Sequence, residues 1–384
     1  MQRISASELA QRRDRLRERA PEGFVLFTSD AIRYFTDFWF LSNERPVAYV
    51  ELAGDEPFVF VPEFEVERAR AETSFERIES YPEYPGLEHP LQALAKLLGK
   101  RDRIGADSDG YPGILGYAGP SLSDVSGATV SPLGDVIECF LRIKSPAEIE
   151  LIRESGKWCA HAHRLLQEYT RAGVTEAEAS LRASSESTLA MLAAGEYGQL
   201  GSADGVKAGY RGQIGARSAW AHAIGHNIEF AAGDLLVSET GAPVWGYNAE
   251  LERGMVIGAP SDSVKRMFEH VVAAQEVAFD AFAPGVTCAD VDGAVMRYFE
   301  QHDLVTYWRQ HTGHGIGLRN HEAPFLDVGD HTRVEPGMVF TIEPGVYDDR
   351  VGGVRHSDTI VVTADGIEIL TDYPRDLESL TIPV

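Results

Sequence analysis

The chain has 384 residues, of which 44% are hydrophobic, enough apolar material for two folded domains rather than one. Its 59 acidic and 35 basic residues leave a formal net charge of −24, which argues against a nucleic acid or an anionic membrane surface as a partner. The three cysteines include no CxxC pair, and no stretch reaches the ~18 apolar residues that a membrane span requires. We therefore expect a soluble, cytoplasmic protein that binds neither nucleic acid nor membrane.

The N-terminal part of the chain alternates helical and strand patterns. A charged helix is predicted over residues 6–19, with Ser5 or Ser7 as its N-cap. An amphipathic helix is predicted over 91–100. Between them, short β-branched and aromatic runs predict strands, which lie at 23–29, 47–52 and 57–62. This order predicts an α/β domain over residues 1–143.

A strong helix start marks the predicted boundary between two domains. Ser145 can cap the helix, and Pro146 suits its first position because the missing N–H would be unpaired there anyway. Glu148 completes an S-x-x-E capping box. We therefore predict a second domain over residues 144–384, with an ordinary internal helix that marks no boundary as the alternative.

Strand patterns dominate the chain after residue 200, with one long helical pattern between them at 262–282. Two of the strand segments share a spacing. Glu239 stands six residues after a glycine and two before another, and Glu343, 104 residues later, repeats this arrangement. A duplicated half-domain with one carboxylate at a strand end in each half would produce such a repeat.

Two glutamates of the second domain are candidates for chemistry. Glu250 and Glu252 are two residues apart, so on a strand both carboxylates project from one face. Like charges this close raise the pKa of one group unless a metal ion or a cationic substrate lies between them. The alternative is a solvated acidic face on an acidic protein.

Histidines cluster with glycines further along the chain. His311, His314 and His321 lie within eleven residues together with three glycines, which let the backbone approach a ligand closely. His222 and His226 form a second pair. A single histidine is more often structural than catalytic, but this cluster together with the strand-end glutamates favours an active site.

Four segments of the second domain resemble signatures of a known family; they are KSPAEI (144–149), GHGIGLRNHEAP (313–324), VEPGMVFTIEPGVY (334–347) and GGVR (352–355). They are similar to the creatinase and aminopeptidase P family, which has the pita-bread fold and includes Xaa-Pro peptidases, creatinase and ectoine hydrolase. The resemblance implies an α+β C-terminal domain, in which helices flank an antiparallel sheet, after a smaller α/β N-terminal domain. It also implies a homodimer.

The resemblance has consequences for metal binding. The peptidases of this family hold two metal ions with two aspartates, a histidine and two glutamates. Here Glu239 and Glu250 stand at the aspartate positions, and His314 and Glu343 match, but Ser357 replaces the last, bridging glutamate. A dinuclear centre is therefore disfavoured, whereas one Mn²⁺ or Co²⁺ ion held by Glu239, Glu250, His314 and Glu343 remains open.

The Leu-Glu-Arg sequence around Glu252 is similar to the metal-independent creatinase. It favours a hydrolase that cleaves a C–N bond of a small cationic or zwitterionic substrate, such as creatine or ectoine, without a cofactor. In this hypothesis Glu252 and Glu343 bind the cationic group, and His222 acts as general base and then as general acid. Glu252 is alternatively a nucleophile.

Further residues are expected to bind the substrate, and two other functions stay open. Glu239, His314, His321 and Arg355 would line the pocket, with Arg355 among the groups that bind a substrate carboxylate. The first alternative is a metal-dependent Xaa-Pro dipeptidase or aminopeptidase, in which His222 and His321 contact the substrate. The second is a pita-bread protein without catalysis that binds a peptide or a partner protein.

The acid excess and the shortage of lysine predict a dependence on salt. Only six of the 35 basic residues are lysines, a composition that fits a salty cytoplasm, although a GC-rich genome also favours arginine. If the protein is adapted to salt, we expect unfolding or lost activity at low ionic strength, where repulsion among carboxylates is unscreened. Thermal unfolding across a salt series checks this, and full stability in dilute buffer would contradict it.

Overall fold

The computed structural model describes residues 3–195, 205–283 and 285–384. The chain divides into two compact units, of which the first ends at Phe140 and the second begins at Leu141. The prediction had placed this division after residue 143. No helix within the described ranges is long and apolar enough to cross a lipid bilayer.

The first unit is a six-stranded mixed sheet with helices. Its helices are α1 (Ala6–Arg19), α2 (Ser29–Thr36), α3 (Val66–Glu72), α4 (Pro90–Leu98), α5 (Leu122–Ser126) and α6 (Gly134–Arg142), which ends in the second unit. Its strands are β1 (Gly23–Leu26), β2 (Ala48–Leu52), β3 (Phe58–Pro62), β4 (Arg77–Tyr81), β5 (Arg103–Ala106) and β6 (Thr129–Pro132). They lie in the order β4-β3-β2-β1-β5-β6, and β2 is antiparallel to both neighbours.

The predicted N-terminal elements are present, with one shortened strand. Ser5 caps α1. The strand predicted at 23–29 ends at Leu26, because the backbone N–H groups of Phe27 and Thr28 donate to the Asp107 carboxylate, each at 2.8 Å, instead of to a neighbouring strand. Buried side chains of the sheet, such as Val50 and Phe60, pack with those of α4 in one apolar core.

The described residues of the second unit form four long helices. They are α7 (Pro146–Tyr169), α8 (Glu176–Ala194), α9 (Asp262–Ala281) and α10 (Cys288–Gln301). The predicted start of α7 is confirmed, because the Ser145 hydroxyl accepts from the Glu148 backbone N–H and the Glu148 carboxylate accepts from the backbone N–H of Ser145. The predicted helix at 262–282 corresponds to α9.

Two main sheets and a hairpin complete the second unit. Its strands are β7 (Lys207–Gly209), β8 (Leu235–Gly241), β9 (Glu250–Ile257), β10 (Gly313–Gly315), β11 (Glu322–Leu326), β12 (Val339–Ile342), β13 (Gly345–Asp348), β14 (Gly352–Arg355), β15 (Asp358–Val362), β16 (Ile367–Ile369) and β17 (Thr381–Ile382). One sheet has the order β17-β9-β8-β7, the other β11-β10-β12-β15-β16, and β13 pairs with β14. All pairs except β17 with β9 are antiparallel. The predicted α+β architecture is confirmed.

The repeated spacing in the sequence corresponds to a repeated turn. Gly233 and Gly337 have φ angles of +92° and +91°, which favour glycine. The N–H of Gly233 donates to the carbonyl of Ile257 at the end of β9, and that of Gly337 donates to Val362 at the end of β15. The strands β8 and β12 that follow these turns therefore enter their sheets in the same way.

A histidine is buried between α7 and the sheet. The ring of His163 lies within hydrogen-bond distance of the Ser238 hydroxyl, at 2.6 Å, and packs against Tyr373 with ring centroids 4.3 Å apart. The side chain is fully buried. Burial, followed by the nearby charge of Arg253, lowers the pKa of His163 to about 3. The folded chain therefore keeps this ring neutral.

This buried ring predicts that acid destabilises the fold. In the unfolded chain a histidine titrates near pH 6.5, so between about pH 6.5 and 3 the unfolded state binds a proton that the folded state does not. The contribution of neutral His163 to the free energy of unfolding is fully present above about pH 6.5. Between about pH 7.5 and 5 we expect the free energy of unfolding to fall by an amount on the order of 2 kcal/mol. Urea unfolding of wild type and His163→Gln at both pH values measures it. The exposed His331→Gln serves as control, and equal pH dependence in all three proteins would contradict the prediction.

Candidate active site

Two paired strands carry three carboxylates on one face. In the β8–β9 pair Glu239 lies directly opposite Glu252, and Gly241 lies opposite Glu250. Because directly paired residues share a face and side chains alternate along a strand, all three carboxylates project to the same side. The strand predicted for Glu250 and Glu252 is confirmed.

A histidine and a fourth carboxylate come from the other sheet. His314 lies on β10, whose glycines let the strands approach closely: a Cβ at Gly313 would lie 1.9 Å from the carbonyl oxygen of Thr341. Glu343 directly follows β12, the neighbour of β10, and its N–H donates to Thr312 at 2.8 Å. We refer to Glu239, Glu250, Glu252 and Glu343 as the acidic cluster.

Three side chains converge at the centre of this arrangement. Glu250, His314 and Glu343 each offer one ligand atom, and these atoms lie within 4.8 Å of one another. The Nδ1–H of His314 donates to the carbonyl of Gly315 at 3.0 Å, because a carbonyl can only accept. Nε2 is therefore the nitrogen that faces Glu343, at 3.2 Å from Oε1. Two carboxylates and one imidazole nitrogen are a suitable donor set for a divalent ion.

The charges of these three groups perturb one another. Burial lowers the pKa of His314, but the hydrogen bond to Glu343 and the charge of Glu250 outweigh it and raise the pKa to about 9. Burial raises the pKa of Glu343, but His314 outweighs it and lowers the pKa to about 2. Burial and then the charge of Glu252 raise the pKa of Glu250 well above its ordinary value. A divalent cation among them would relieve this repulsion.

Glu252 forms a buried ion pair with Arg355. Nε and Nη2 of the guanidinium donate to the two carboxylate oxygens of Glu252, and both side chains are at most 2% exposed. Burial raises the pKa of Glu252 to about 7 although Arg355 lowers it. Nη1 donates to the Ala221 carbonyl at 3.0 Å and to the Tyr347 hydroxyl at 3.1 Å. All three guanidinium nitrogens thus bind protein groups, whereas we had expected Arg355 to bind a substrate carboxylate.

Glu239 lies at the more open side of the acidic cluster. Its Oε2 is 2.6 Å from Nη2 of Arg211, and the two side chains are 32% and 42% exposed. The same Arg211 nitrogen lies 3.5 Å from Glu252. The sequence suggested Glu239 as a substrate-binding residue and, in the alternative with a metal ion, as a ligand. The three residues that the structure brings together do not include it.

Ser357 occupies the position where the resemblance implies a bridging glutamate. Its hydroxyl donates to Oε1 of Glu250 at 2.8 Å, and its backbone forms two hydrogen bonds with Glu252, at 3.0 and 3.1 Å. The serine therefore orients a carboxylate of the acidic cluster without adding a negative charge.

The other predicted histidines surround His314 or lie in a segment that contacts Arg355. The ring of His311 lies 6.2 Å from that of His314, between centroids. His321 is exposed, and its ring stacks on that of His314 with centroids 3.8 Å apart and planes 14° apart. His222 is exposed. Its neighbour Ala221 accepts a hydrogen bond from Arg355, so the segment that carries His222 contacts the acidic cluster through Arg355.

Three residues of the site were not predicted from the sequence. Gln310 donates to Oε2 of Glu343 at 3.2 Å and accepts from the Tyr347 hydroxyl at 3.1 Å. Tyr347 in turn contacts Arg355. Arg211 is the third. Gln310 directly precedes the histidine cluster, and Tyr347 is the last residue of the VEPGMVFTIEPGVY segment, so both stood beside or within a recognised pattern. Arg211 stands in a segment without such a pattern.

Comparisons with known protein families cover both units of the chain. Residues 9–137 match the model of the creatinase/prolidase N-terminal domain. Residues 150–364, more than half of the chain, match the model of metallopeptidase family M24.

Individual relatives extend over almost the whole chain. An Xaa-Pro dipeptidase of Pyrococcus horikoshii is 29% identical over 341 residues, which are 88% of this chain and 91% of that protein. The crystal structure of dipeptidase PepE from Mycobacterium ulcerans is similar with a TM-score of 0.81, at 26% identity and full coverage of both chains. An Xaa-Pro dipeptidase from Bacillus anthracis has a TM-score of 0.79, at 25% identity, over 98% of this chain and 100% of that one.

These findings correct the expectation of hydrolysis without a cofactor. That expectation rested on the loss of a bridging glutamate at Ser357 and on the creatinase-like sequence around Glu252. The matching family, however, is one of metallopeptidases, and Glu250, His314 and Glu343 lie close enough together to hold a metal ion. The relatives named as dipeptidases also favour the alternative of a peptidase over a creatinase-like enzyme. The fold is the pita-bread fold with its N-terminal domain. The chain is a hydrolase that belongs to metallopeptidase family M24.

Proposed function

We propose that this protein is a metal-dependent peptidase that cleaves Xaa-Pro dipeptides. The observation that carries the proposal is the convergence of Glu250, His314 and Glu343 within 4.8 Å. Support also comes from the relative of Pyrococcus horikoshii, an Xaa-Pro dipeptidase that this chain matches over 91% of its length. A dipeptide is a small zwitterion, the class of substrate expected from the sequence.

The ligand set fits one divalent ion such as Mn²⁺ or Co²⁺. Glu250 and Glu343 would supply carboxylate oxygens, and His314 would supply Nε2, since its Nδ1–H is bound to Gly315. When bound, such an ion supplies Lewis acidity to the scissile carbonyl and acidifies water.

The protein's own groups would position the substrate and handle protons. The proline nitrogen must gain a proton as the peptide bond breaks, and an imidazole can hold and release one near neutral pH. His321 is exposed and stacks on His314, and exposed His222 follows Ala221, which contacts Arg355; we propose that both histidines contact the dipeptide. Gln310 and Ser357 hold Glu343 and Glu250 in place through hydrogen bonds.

Removal of metal tests the reaction directly. We expect EDTA to abolish proline release from Ala-Pro and Leu-Pro, and Mn²⁺ or Co²⁺ to restore it, because the substrate carbonyl loses its Lewis acid. Glu343→Gln should lower kcat/KM by about 10²-fold or more, whereas the exposed Glu335→Gln should not change it. Ala-Ala serves as the comparison for proline specificity. Turnover of creatine or ectoine in EDTA, without dipeptide cleavage, would contradict the proposal.

A matched pair of histidines tests the proton-transfer role. His222 and His226 are both exposed in the same segment, so neither substitution should disturb the core. We expect His222→Ala to lower kcat/KM for Ala-Pro by about 10²-fold, the contribution typical of general acid–base catalysis, and His226→Ala to leave it within about twofold. Mn²⁺ affinity should be unchanged in both variants. Equal activity of the two variants would remove His222 from the mechanism.

A further inference from the structure

We propose that Arg355 and Arg211 act as resident cations of the acidic cluster and limit it to a single divalent ion. The inference rests on the proposed function, because it concerns the same metal site. It differs from the two-ion centre that the resemblance to the family implies. Because Arg355 belongs to a segment that resembles the family's signatures, the difference lies in its pairing with Glu252, in Ser357 and in the position of Arg211.

Arg355 is fixed in place by its contacts. Nε and Nη2 bind both oxygens of Glu252, a fork-to-fork arrangement that suits a guanidinium. Nη1 is held by Ala221 and Tyr347, and Gln310 accepts from it at 3.4 Å. With every nitrogen engaged and 1% of the side chain exposed, the guanidinium cannot move aside for an incoming ion without breaking these bonds.

Arg355 also faces the metal ligand Glu343. Oε1 of Glu343 lies 3.2 Å from Nε2 of His314, whereas its Oε2 lies 3.9 Å from Nε of Arg355. The two oxygens of one carboxylate thus face different partners. One side borders the proposed metal site, and the other already borders a fixed positive charge, which would repel a second divalent ion placed there.

The guanidinium of Arg211 offsets the negative charge of Glu239, as that of Arg355 offsets the charge of Glu252. Its Nη2 is 2.6 Å from Glu239 and 3.5 Å from Glu252, so it lies between the two directly paired glutamates of β8 and β9. Like charges directly opposite on paired strands are unfavourable, and the guanidinium relieves this repulsion. Glu239 and Glu252 are therefore both engaged by arginines.

One divalent ion balances the remaining negative charge of the acidic cluster. The acidic cluster carries four carboxylates, and Arg211 and Arg355 offset two of them. The two that remain, Glu250 and Glu343, are those that converge with His314. One divalent cation, bound in place of the proton on Nε2 of His314, balances them. A second ion would leave two uncompensated positive charges in a largely buried site, because Ser357 contributes no anion.

Metal stoichiometry tests the inference without any measurement of turnover. Metal-free protein is titrated with Mn²⁺ by calorimetry, the bound metal is determined after equilibrium dialysis, and Mn²⁺ spin resonance reports whether two ions interact. We expect one ion per chain and the signal of an isolated Mn²⁺ ion. Two interacting ions per chain would overturn the inference and leave the proposed function standing. Absence of Mn²⁺ binding would overturn both.

Variants test whether the arginines set this limit. We expect Arg355→Met to bind a second, weaker Mn²⁺ equivalent that interacts with the first, and the double variant Arg355→Met/Glu252→Gln to return to one. Arg211→Met, at a partly exposed position, should likewise gain a second, weaker equivalent even if Arg355→Met fails to fold.

The control is Arg217→Met, because Arg217 packs on Trp220 and donates to the Ile224 carbonyl rather than to a carboxylate of the cluster. It should bind one ion with wild-type affinity. If the folded arginine variants also keep one ion with unchanged affinity, the arginines are not the limiting groups and the inference is wrong.

Discussion

Four carboxylates meet where strands of two sheets come together, and the site depends on how their negative charge is balanced. A buried carboxylate is costly unless a cation or several donors compensate it. Arg355 compensates Glu252, and Arg211 compensates Glu239. In the absence of metal, His314 compensates Glu343, and the raised pKa of Glu250 favours its protonated form. A divalent ion would compensate the negative charge in place of the proton on His314 and the proton on Glu250. Metal binding would therefore also stabilise the site.

The internal repeat explains why these acids meet and why the site is asymmetric. Glu239 in β8 lies opposite Glu252 in β9. In the second half, Glu343 follows Ile342, which pairs with Asp358, so Glu343 lies next to Ser357. Glu252 and Ser357 thus occupy similar places, and their backbones pair with each other. One half presents a second carboxylate there and the other a neutral hydroxyl. The repeated turns bring the strand ends together, and Ser357 lacks the negative charge that Glu252 has at the similar position.

Local signals in the sequence predicted much of the fold and the polypeptide positions of the ligands. The capping box of α7 and the shared face of Glu250 and Glu252 on β9 follow local rules, and the structure agrees with both. The partners of the carboxylates were not predictable in this way. Glu252 and Arg355 are 103 residues apart, and no periodicity links them. The sequence resemblance therefore identified Glu252 as a free binding group, whereas the structure shows it bound to a guanidinium. Long-range ion pairs of this type determine which carboxylates remain available to bind a metal ion or a substrate.

A second buried ion pair shows how the same principle orders the histidine segment. Lys144, just before α7, donates through Nζ to Oε2 of Glu322 at 2.6 Å, and both side chains are at most 2% exposed. Oε1 of Glu322 accepts the backbone N–H of Arg319 at 2.9 Å. A Cβ at Gly317 would lie 2.7 Å from Cε of Lys144, so the glycine makes room for the lysine. The pair thus fixes the turn that carries His321. Removing either partner would leave the other as an unpaired buried charge and destabilise the domain, so the orientation of His321 depends on the same ion pair as the stability of the domain.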